Sequence, residues 1–500
     1  MDTPCLNDMQ AGATLTHESC YRALAAKDTR FDGVFFTGVK TTGIYCRPVC
    51  SVKTPRASSC VFFSTAAAAE AAGFRPCLRC RPELAPYALQ QNLAYAVWQR
   101  IAAGALNEGD GEKLATEVGL SSRQLRRVLQ QHFGVTPIEL AQTQRLLFAK
   151  KLLQETRFPM SEVAYSAGFG SVRRFNALFL ARYGMAPTSI RRAAEKSSGY
   201  DADAITLRLA YRPPFAWSDM LHYLSGRAIA GVEAVIDDAA GGISYARSVR
   251  LDGASGWLHV RHLPEKHQLE VSVSSTLAHV LMPLLARLRS QFDLDANPQV
   301  VAAHLAHDPL LARQIDKTPG LRVPGAFEVF ELAVRAVLGQ QVSVAGATTL
   351  SARMVHKFGV ATATPFAGVT HHFPTPECLA AASAAEIAAI GLPGARAEAI
   401  RNLAQFAVQG GLQIRPGASL TEVITHLKTV RGIGEWTAQY IAMRALRFSD
   451  AFPAGDLGLQ KAATESVDGL RLTERQLLLR AANWSPWRGY AALLLWHALG

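Results

Sequence analysis

The spacing of apolar residues divides the chain into helical and mixed regions. From about residue 89 to 192, and again from about 299 to the end, apolar residues recur every three or four positions, which predicts amphipathic helices. Between about 204 and 300, apolar and polar residues alternate at 205–209, 257–260 and 269–273, which predicts strands. Helices are also expected there at 216–224 and 279–292. A mixed region therefore lies between two helical ones.

Proline, glycine and asparagine divide the last helical region into about ten predicted helices. Breaks are expected at residues 308–309 and at Gly417. The helices are predicted near 299–306, 326–340, 344–357, 376–390, 394–409, 420–430, 436–446, 457–466, 473–482 and 487–499.

Two stretches of the first helical region, 113–128 and 161–175, resemble each other. Each has a short helix, a glycine turn, a serine cap and a second helix with arginines on its exposed face. A long helix at 137–154 would join them. One such unit alone can be a packing motif, but two units with basic second helices favour DNA binding. The candidate contacts are Arg123, Gln124, Arg126, Arg127, Arg173, Arg174 and Asn176.

This duplication resembles the AraC-type domain, in which two helix-turn-helix units place their second helices in successive major grooves.

The charge of the chain agrees with a nucleic-acid partner. The net charge is +12, and residues 1–200 hold 25 Lys and Arg against 15 Asp and Glu, whereas the remainder holds 27 against 25. The start lacks a basic segment followed by an apolar run, so no signal peptide is expected. No apolar run of about 18 residues predicts a membrane span.

Four of the eight cysteines form two close pairs, Cys46 with Cys50 and Cys77 with Cys80. Thiols of a chain without a signal peptide should stay reduced, so the pairs indicate a tetrahedral Zn²⁺ site rather than disulfides. The spacing alone favours a structural zinc site, which would stabilise the fold and take no part in a reaction.

The residues around these cysteines, 41–50 and 72–82, resemble the N-terminal domain of the Ada-type methylation-response regulators. The resemblance covers roughly residues 17–85. It implies that Cys46 takes a methyl group from a DNA methylphosphotriester and that Cys50, Cys77 and Cys80 complete the zinc site. A zinc-bound thiolate is a suitable nucleophile. Methylation would remove one negative charge and should strengthen DNA binding.

The stretch 431–456 combines a double-glycine turn with a later carboxylate. Gly432 and Gly434 stand between an amphipathic helix and an apolar helical run, where free helix amides suit a phosphate oxygen. This pattern predicts a helix-hairpin-helix that holds a DNA backbone, and the alternative is an ordinary corner in a core. Asp456 follows in a Pro/Gly loop and is expected at the lip of an apolar pocket.

Residues 335–343, 432–438 and 487–491 resemble the helix-hairpin-helix DNA glycosylases, and among them the bacterial 3-methyladenine glycosylases of the AlkA type. The resemblance implies that a damaged base is flipped into a pocket and excised. Asp456 would then stabilise the oxocarbenium-like sugar or activate water. Gln341 would fill the vacated base stack, in place of the leucine usual in AlkA-type enzymes.

The pocket that this resemblance implies is aromatic. Trp436, Tyr440 and Trp496 would face a cationic base, and ordinary helix core is the alternative for each. Leu457 replaces an aromatic residue beside Asp456. The segment 211–217 resembles the α+β domain that precedes the catalytic part of AlkA-type enzymes; Phe215 and Trp217 could wall the pocket there, although core packing is the favoured interpretation.

A competing enzyme class can be tested on the same residues. Hairpin glycosylases with lyase activity carry a lysine where this chain has Trp436, and some hold an iron–sulfur cluster near the C-terminus, whereas the last cysteine here is Cys378. Both comparisons predict a glycosylase without lyase activity. The Pro-Cys-His-Arg motif of the Ada-type O6-alkylguanine acceptor is also missing.

The predicted fold is multidomain α+β. Its parts are a small zinc-bound α/β domain (1–86), an all-α double helix-turn-helix domain (87–196), an α+β domain (203–298) and an all-α helix-hairpin-helix domain (299–500). Segments 82–86 and 193–203 would be linkers. The partners would be double-stranded DNA and RNA polymerase in the bacterial cytoplasm and nucleoid, with no membrane. The alternative is a transcription factor whose C-terminal half binds DNA without catalysis.

Overall fold

The computed structural model describes residues 15–86, 93–107, 111–194, 204–237, 242–464 and 471–499. Within these ranges, none of the helices has the length and apolar character needed to cross a membrane. The helices and strands form four successive groups along the chain.

The first group is a small sheet with two helices. It contains α1 (His17–Ala25), β1 (Phe36–Val39), β2 (Ile44–Cys46), β3 (Cys60–Phe63), α2 (Ala66–Ala71) and β4 (Arg75–Pro76). The sheet order is β3-β1-β2-β4, with β4 parallel to β2 and the other pairs antiparallel. Strand β2 ends on Cys46, so the sheet directly positions the first of the paired cysteines.

The second group is helical, as predicted. It contains α3 (Leu93–Ala102), α4 (Gly111–Glu117), α5 (Ser122–Phe133), α6 (Pro137–Glu155), α7 (Met160–Ser166), α8 (Val172–Tyr183) and α9 (Pro187–Ala194). Ser121 and Ser171 cap α5 and α8 as expected. Gly119 and Gly168 take left-handed φ values of 71° and 78° in the turns before these helices, which explains why glycine stands there.

The third group is a five-stranded antiparallel sheet with two helices packed against it. It contains β5 (Ala204–Ala210), α10 (Trp217–Ser225), β6 (Glu233–Asp237), β7 (Ile243–Leu251), β8 (Ala254–Leu263), β9 (Gln268–Ser274) and α11 (Leu281–Gln291). The order is β5-β9-β8-β7-β6. The three predicted strands fall within β5, β8 and β9. Strands β6 and β7 were not predicted. In β7, apolar residues alternate at 243, 245, 249 and 251, but Arg247, which forms a buried ion pair with Glu331, interrupts the pattern.

The last group is mainly helical and holds the predicted hairpin. It contains α12 (Pro298–Leu305), α13 (Pro309–Lys317), α14 (Val329–Leu338), α15 (Val344–Phe358), β10 (Val360–Ala361), β11 (His371–His372), α16 (Pro376–Ala381), α17 (Ala384–Ala388), α18 (Gly394–Val408), α19 (Leu420–Leu427), α20 (Glu435–Arg444), α21 (Leu457–Ala462), α22 (Glu474–Ala481) and α23 (Arg488–His497).

Three details of the predicted helices were wrong. The helix expected at 376–390 is two helices, because Ser383 forms a capping box with Glu386 and starts α17. Helix α13 was missed because Asp308 and Pro309, taken as a break, are the cap and first residue of a helix. The region also contains the short antiparallel pair β10–β11. Residues 465–466, the end of the helix predicted at 457–466, lie outside the described residues.

The segment 82–86, expected to be a linker, is packed between the first three groups. The Glu83 side chain is 2% exposed, and its carboxylate forms an ion pair at 2.5 Å with the Nζ of buried Lys150 on α6. The Arg81 guanidinium joins Glu83 to Glu155 at the end of α6. Most of the other segment expected to be a linker, 193–203, lies outside the described residues.

A buried arginine contributes to the contact between the third group and the first. Arg212 follows β5 and donates to the main-chain carbonyls of Asp32, Pro86 and Asp295. Burial lowers its pKa to about 10, so it remains a cation at neutral pH. The second helix-turn-helix unit also shares a hydrophobic core with the five-stranded sheet. The first and second groups are therefore packed onto the rest of the chain.

Candidate zinc centre and base-excision site

Four thiols converge at the end of β2. The Sγ atoms of Cys46, Cys50, Cys77 and Cys80 all lie within 4.8 Å of one another. Four sulfur ligands at that spacing suit a tetrahedral Zn²⁺ with bonds of about 2.3 Å. The main-chain N–H of Arg47 donates to Cys80 Sγ at 3.4 Å, and the Arg47 guanidinium pairs with the Asp32 carboxylate. These contacts hold the loop in place.

A buried carboxylate that the sequence reasoning missed connects this centre to the helices. Glu70 on α2 accepts from the hydroxyls of Tyr45 at 3.0 Å and Thr143 on α6 at 3.1 Å, and Arg182 on α8 lies 3.3 Å away. Tyr45 directly precedes Cys46. Burial raises the pKa of Glu70 to about 7. In the sequence, this buried carboxylate could have been recognised as one acidic residue in an otherwise all-alanine helix.

The candidate contacts on the second helices of the repeated units are exposed. Arg123, Arg126 and Arg127 lie on the outer face of α5, and Arg173, Arg174 and Asn176 on that of α8. Gln124 differs, because its Oε1 accepts from the main-chain N–H of Ser121 at 2.9 Å in a capping box. That oxygen is already used within the protein, which leaves the amide nitrogen for any contact with DNA.

Asp456 caps α21 and is held by two tryptophans from different helices. Its Oδ1 accepts from the main-chain N–H of Leu459 at 2.9 Å and from Trp496 Nε1 at 3.0 Å. Its Oδ2 accepts from Trp436 Nε1 at 3.1 Å. The carboxylate is half-buried. Three donors fix its orientation without neutralising its charge, so the charge remains free to act on a neighbouring cation.

The three predicted aromatic residues form one cluster beside this carboxylate. Trp436 and Tyr440 stack with ring centroids 5.2 Å apart and planes at 10°, and Trp496 stands 6.2 Å from Tyr440. All three are half-buried rather than fully buried, unlike the core of the same helices. Partly exposed aromatic rings next to an oriented carboxylate suit the capture of a flipped purine.

Two further residues of this site were missed. Arg444, the single charged residue in the apolar run 438–446, is buried and donates through Nη1 to Tyr440 at 2.6 Å and to Tyr223 of α10 at 2.7 Å. Burial raises the pKa of Tyr223 to about 12. Burial also opposes ionisation of Tyr440, but the charges of Arg444 and Arg227 outweigh it and lower the Tyr440 pKa.

Tyr223, and not Phe215 or Trp217, is the aromatic residue that the α+β part brings to the site. Trp217 is 4% exposed, donates to the Ile243 carbonyl and belongs to the core of that part. Phe215 packs against the same core and carries the Arg322 guanidinium 4.5 Å from its ring centroid. The core interpretation of both residues is confirmed.

The hairpin joins α19 to α20 as predicted. Gly432 has a φ of 99°, and a Cβ there would lie 2.3 Å from the Cβ of Ala399 on α18. Gly434 caps α20 without a side-chain hydrogen bond, and nothing lies within 4 Å of its missing Cβ. Gly432 is therefore required for packing, whereas Gly434 leaves the amides at the start of α20 open to an anion.

Gln341 lies at the tip of the turn between α14 and α15. It is exposed and has a left-handed φ of 56°, and Val342 and Val344 beside it are 38% and 44% exposed. Gln340, which the sequence reasoning missed, turns inward. Its Nε2 donates to the Gly432 carbonyl at 3.1 Å and to Thr437 Oγ1 at 3.0 Å.

Four family models match the chain in succession. Residues 19–83 match the metal binding domain of Ada, 114–193 a helix-turn-helix domain, 206–328 the AlkA N-terminal domain, and 334–487 the HhH-GPD superfamily of base excision DNA repair proteins. Together with the sites above, they define a zinc-binding, DNA-binding regulator joined to a DNA glycosylase.

One relative matches the whole arrangement. The chain is 38% identical over 489 residues to the probable bifunctional transcriptional activator/DNA repair enzyme AlkA of Mycobacterium tuberculosis, which covers 96% of each protein. The chain belongs to this family of bifunctional transcriptional activator/DNA repair enzymes.

Other relatives match one half of the chain. DNA-3-methyladenine glycosylase 2 of Escherichia coli is 36% identical over 58% of this chain and 97% of its own length. The bifunctional transcriptional activator/DNA repair enzyme Ada of the same species is 35% identical over 26% of this chain and 36% of its own length. The solved 3-methyladenine DNA-glycosylase of Archaeoglobus fulgidus, 20% identical, aligns over 58% of this chain and 96% of its own with a TM-score of 0.50, which supports the fold.

Proposed function

We propose that this chain senses methylated DNA through Cys46, binds promoter DNA through α5 and α8, and excises alkylated bases such as 3-methyladenine at the site of Asp456. The observation that carries the excision proposal is the Asp456 carboxylate oriented by Trp436 and Trp496 beside a cluster of half-buried aromatic rings. The reaction is hydrolysis of the N-glycosidic bond without lyase activity, since a tryptophan occupies position 436.

In the excision step the chain acts by position and charge. The hairpin amides after Gly434 hold a backbone phosphate, Gln341 fills the space that the base has left, and the aromatic faces receive the base. As the bond to the base breaks, positive charge grows on the sugar. The fixed carboxylate of Asp456 stabilises that charge or orients the attacking water, and both roles require it to be ionised.

The four-thiol centre fits Zn²⁺ by donor set and spacing, with Cys46, Cys50, Cys77 and Cys80 as ligands. Bound zinc would keep these thiols deprotonated at neutral pH. The Cys46 sulfur attacks the methyl carbon of a methylphosphotriester; an S–C bond forms, the C–O bond breaks, and the phosphodiester leaves as an anion. The thioether is stable, so each molecule reacts once.

Methylation of Cys46 is the proposed signal for promoter binding. Four thiolates and Zn²⁺ carry a formal charge of −2, which repels DNA, and methylation reduces this to −1. Exposed arginines on α5 and α8 supply the DNA contacts. RNA polymerase is the proposed partner of the promoter-bound form, and the bacterial cytoplasm and its nucleoid are the proposed location, because the DNA substrate lies there.

Single-turnover excision from a duplex that carries 3-methyladenine tests the enzymatic half. Wild-type protein should release the base and leave an intact abasic strand, and the Asp316→Asn variant, which changes an exposed aspartate on α13, should do the same. No release, with DNA binding retained, would favour a regulator without catalysis. Strand cleavage at the abasic site would contradict the assignment as a glycosylase without lyase activity.

A salt titration of promoter affinity tests the regulatory half. Methylated protein should bind more tightly than unmodified protein at every salt concentration, and equal affinities would exclude the charge mechanism. Replacing Arg126 or Arg173 by alanine should weaken binding in both states, because these residues are proposed to contact DNA directly.

A further inference from the structure

Two adjacent glutamines in the turn between α14 and α15 point in opposite directions. Gln341 projects outward at the tip of the turn, on a left-handed backbone that a residue with a Cβ adopts only under constraint. Gln340 reaches across to the hairpin, where both hydrogens of its side-chain amide are used. One bonds the Gly432 carbonyl at 3.1 Å and the other Thr437 Oγ1 at 3.0 Å.

The two acceptors lie at positions of the hairpin that pack closely against neighbouring residues. Gly432 packs directly on Ala399 of α18, and Thr437, in the first turn of α20, is only 3% exposed. To keep both contacts, a side chain at position 340 must carry two hydrogen-bond donors as far from the backbone as those of glutamine. Methionine would preserve the length without a donor, and glutamate would place an acceptor against the Gly432 carbonyl.

We propose that Gln340 is a positioning residue for base flipping, which couples the inserting tip at Gln341 to the phosphate-holding hairpin. The proposal rests on the glycosylase function proposed above. The side-chain amide of Gln340 fixes the distance between the tip at Gln341 and the hairpin. The hairpin can then hold the phosphate while Gln341 is placed to insert into the base stack. Gln340 acts through Gln341 and the hairpin and has no contact of its own with the reacting atoms.

This role predicts which substrates will depend on Gln340. A base paired within an intact duplex must be unstacked, and a correctly held tip stabilises the opened state. A lesion in a single-nucleotide bulge is already partly unstacked, so the tip contributes less. The chemistry at Asp456 is the same for both substrates, which separates positioning from catalysis.

The test is single-turnover excision by Gln340→Met on both substrates. Loss of two neutral hydrogen bonds should slow excision of the paired lesion roughly ten- to thirtyfold. Excision of the bulged lesion should fall by less than about threefold, well below the loss of two such bonds. A 2-aminopurine beside the paired lesion should show a matching loss of unstacking. Thr437→Val, which removes one acceptor, should give a smaller loss with the same substrate preference, and the double variant should be no slower than Gln340→Met.

The control is Gln405→Met, which changes an exposed glutamine on α18 and should match wild type on both substrates. Equal losses by Gln340→Met on paired and bulged lesions, or unchanged unstacking, would overturn the positioning role. The positioning role would also be overturned if the double variant showed the sum of the losses of Gln340→Met and Thr437→Val. If wild-type protein excises neither lesion, the glycosylase proposal fails instead, which is a different outcome.

Discussion

Asp456→Asn is the sharpest test of the excision site, and the hydrogen bonds of Asp456 show what the change would do. Asp456 Oδ1 accepts from the Leu459 main-chain N–H and from the indole N–H of Trp496, so the asparagine oxygen should stay on that side. The new amide nitrogen then faces Trp436 Nε1, and two donors meet across about the present 3.1 Å. The variant therefore loses a charge and one hydrogen bond.

These two losses differ in size. One unpaired neutral donor costs about 1 kcal/mol, or roughly fivefold in rate. Loss of an electrostatic stabiliser of the transition state costs roughly 10²- to 10³-fold. Asparagine caps a helix about as well as aspartate, so the free energy of unfolding should fall only by about the 1 kcal/mol of the lost hydrogen bond to Trp436. We expect base release to fall at least about 10²-fold, with little change in affinity for an abasic duplex.

Trp436→Phe is the matched control, because it removes the same hydrogen bond and keeps the carboxylate and the stack on Tyr440. It should lose less than about tenfold in single-turnover base release. Methyl transfer to Cys46 should be normal in both variants, since it occurs at a separate centre. Near-normal excision by Asp456→Asn, or an equal loss in Trp436→Phe, would refute the view that the charge of Asp456 carries the chemistry.

Three other changes test the remaining parts. Incubation with methylphosphotriester DNA should add one methyl to the Cys46 peptide by mass spectrometry, and a methyl on another of the four cysteines would overturn that assignment. Gly432→Ala should cost about 2 kcal/mol in thermal unfolding and weaken DNA binding at least about tenfold, because its new Cβ has no room; Gly434→Ala, where space is open, is the control for packing, and equal unfolding of the two would contradict this. Glu70 has a raised pKa, so its ionisation destabilises the fold. The free energy of unfolding of the wild type should fall by up to about 3 kcal/mol between about pH 4.5 and about 7 and then level off. Glu70→Gln should lack that component when unfolding is measured against pH.

The parts that could be predicted from the sequence are those whose chemistry is local. A glycine turn, a serine cap and the start of a basic helix lie within about fifteen residues, so both helix-turn-helix units were predicted, although their second helices continue to Phe133 and Tyr183. The same holds for the hairpin and for the four cysteines, whose two close pairs meet. Residue identity over a short span decides these features, and packing elsewhere does not change them.

Contacts between distant segments could not be predicted. Tyr223 meets Arg444 from another part of the chain, and Gln340 reaches a hairpin more than ninety positions away. No spacing rule relates such positions. Phe215 and Trp217 were the nearer aromatic candidates, yet the five-stranded sheet takes Trp217 into its own core. Strand β7 was missed for a similar reason, since Arg247, which pairs with Glu331 of a distant helix, interrupts its alternation.

The bonds of Arg212 have a consequence for how such a fused gene can change over generations. Its guanidinium holds the carbonyls of Asp32, Pro86 and Asp295, and every amino acid carries a carbonyl. Substitutions at those three positions can accumulate without breaking the contact, provided that the backbone path is kept. Side-chain substitutions at those three positions therefore leave this part of the link between sensor and repair enzyme intact, whereas replacing Arg212 removes all three bonds at once.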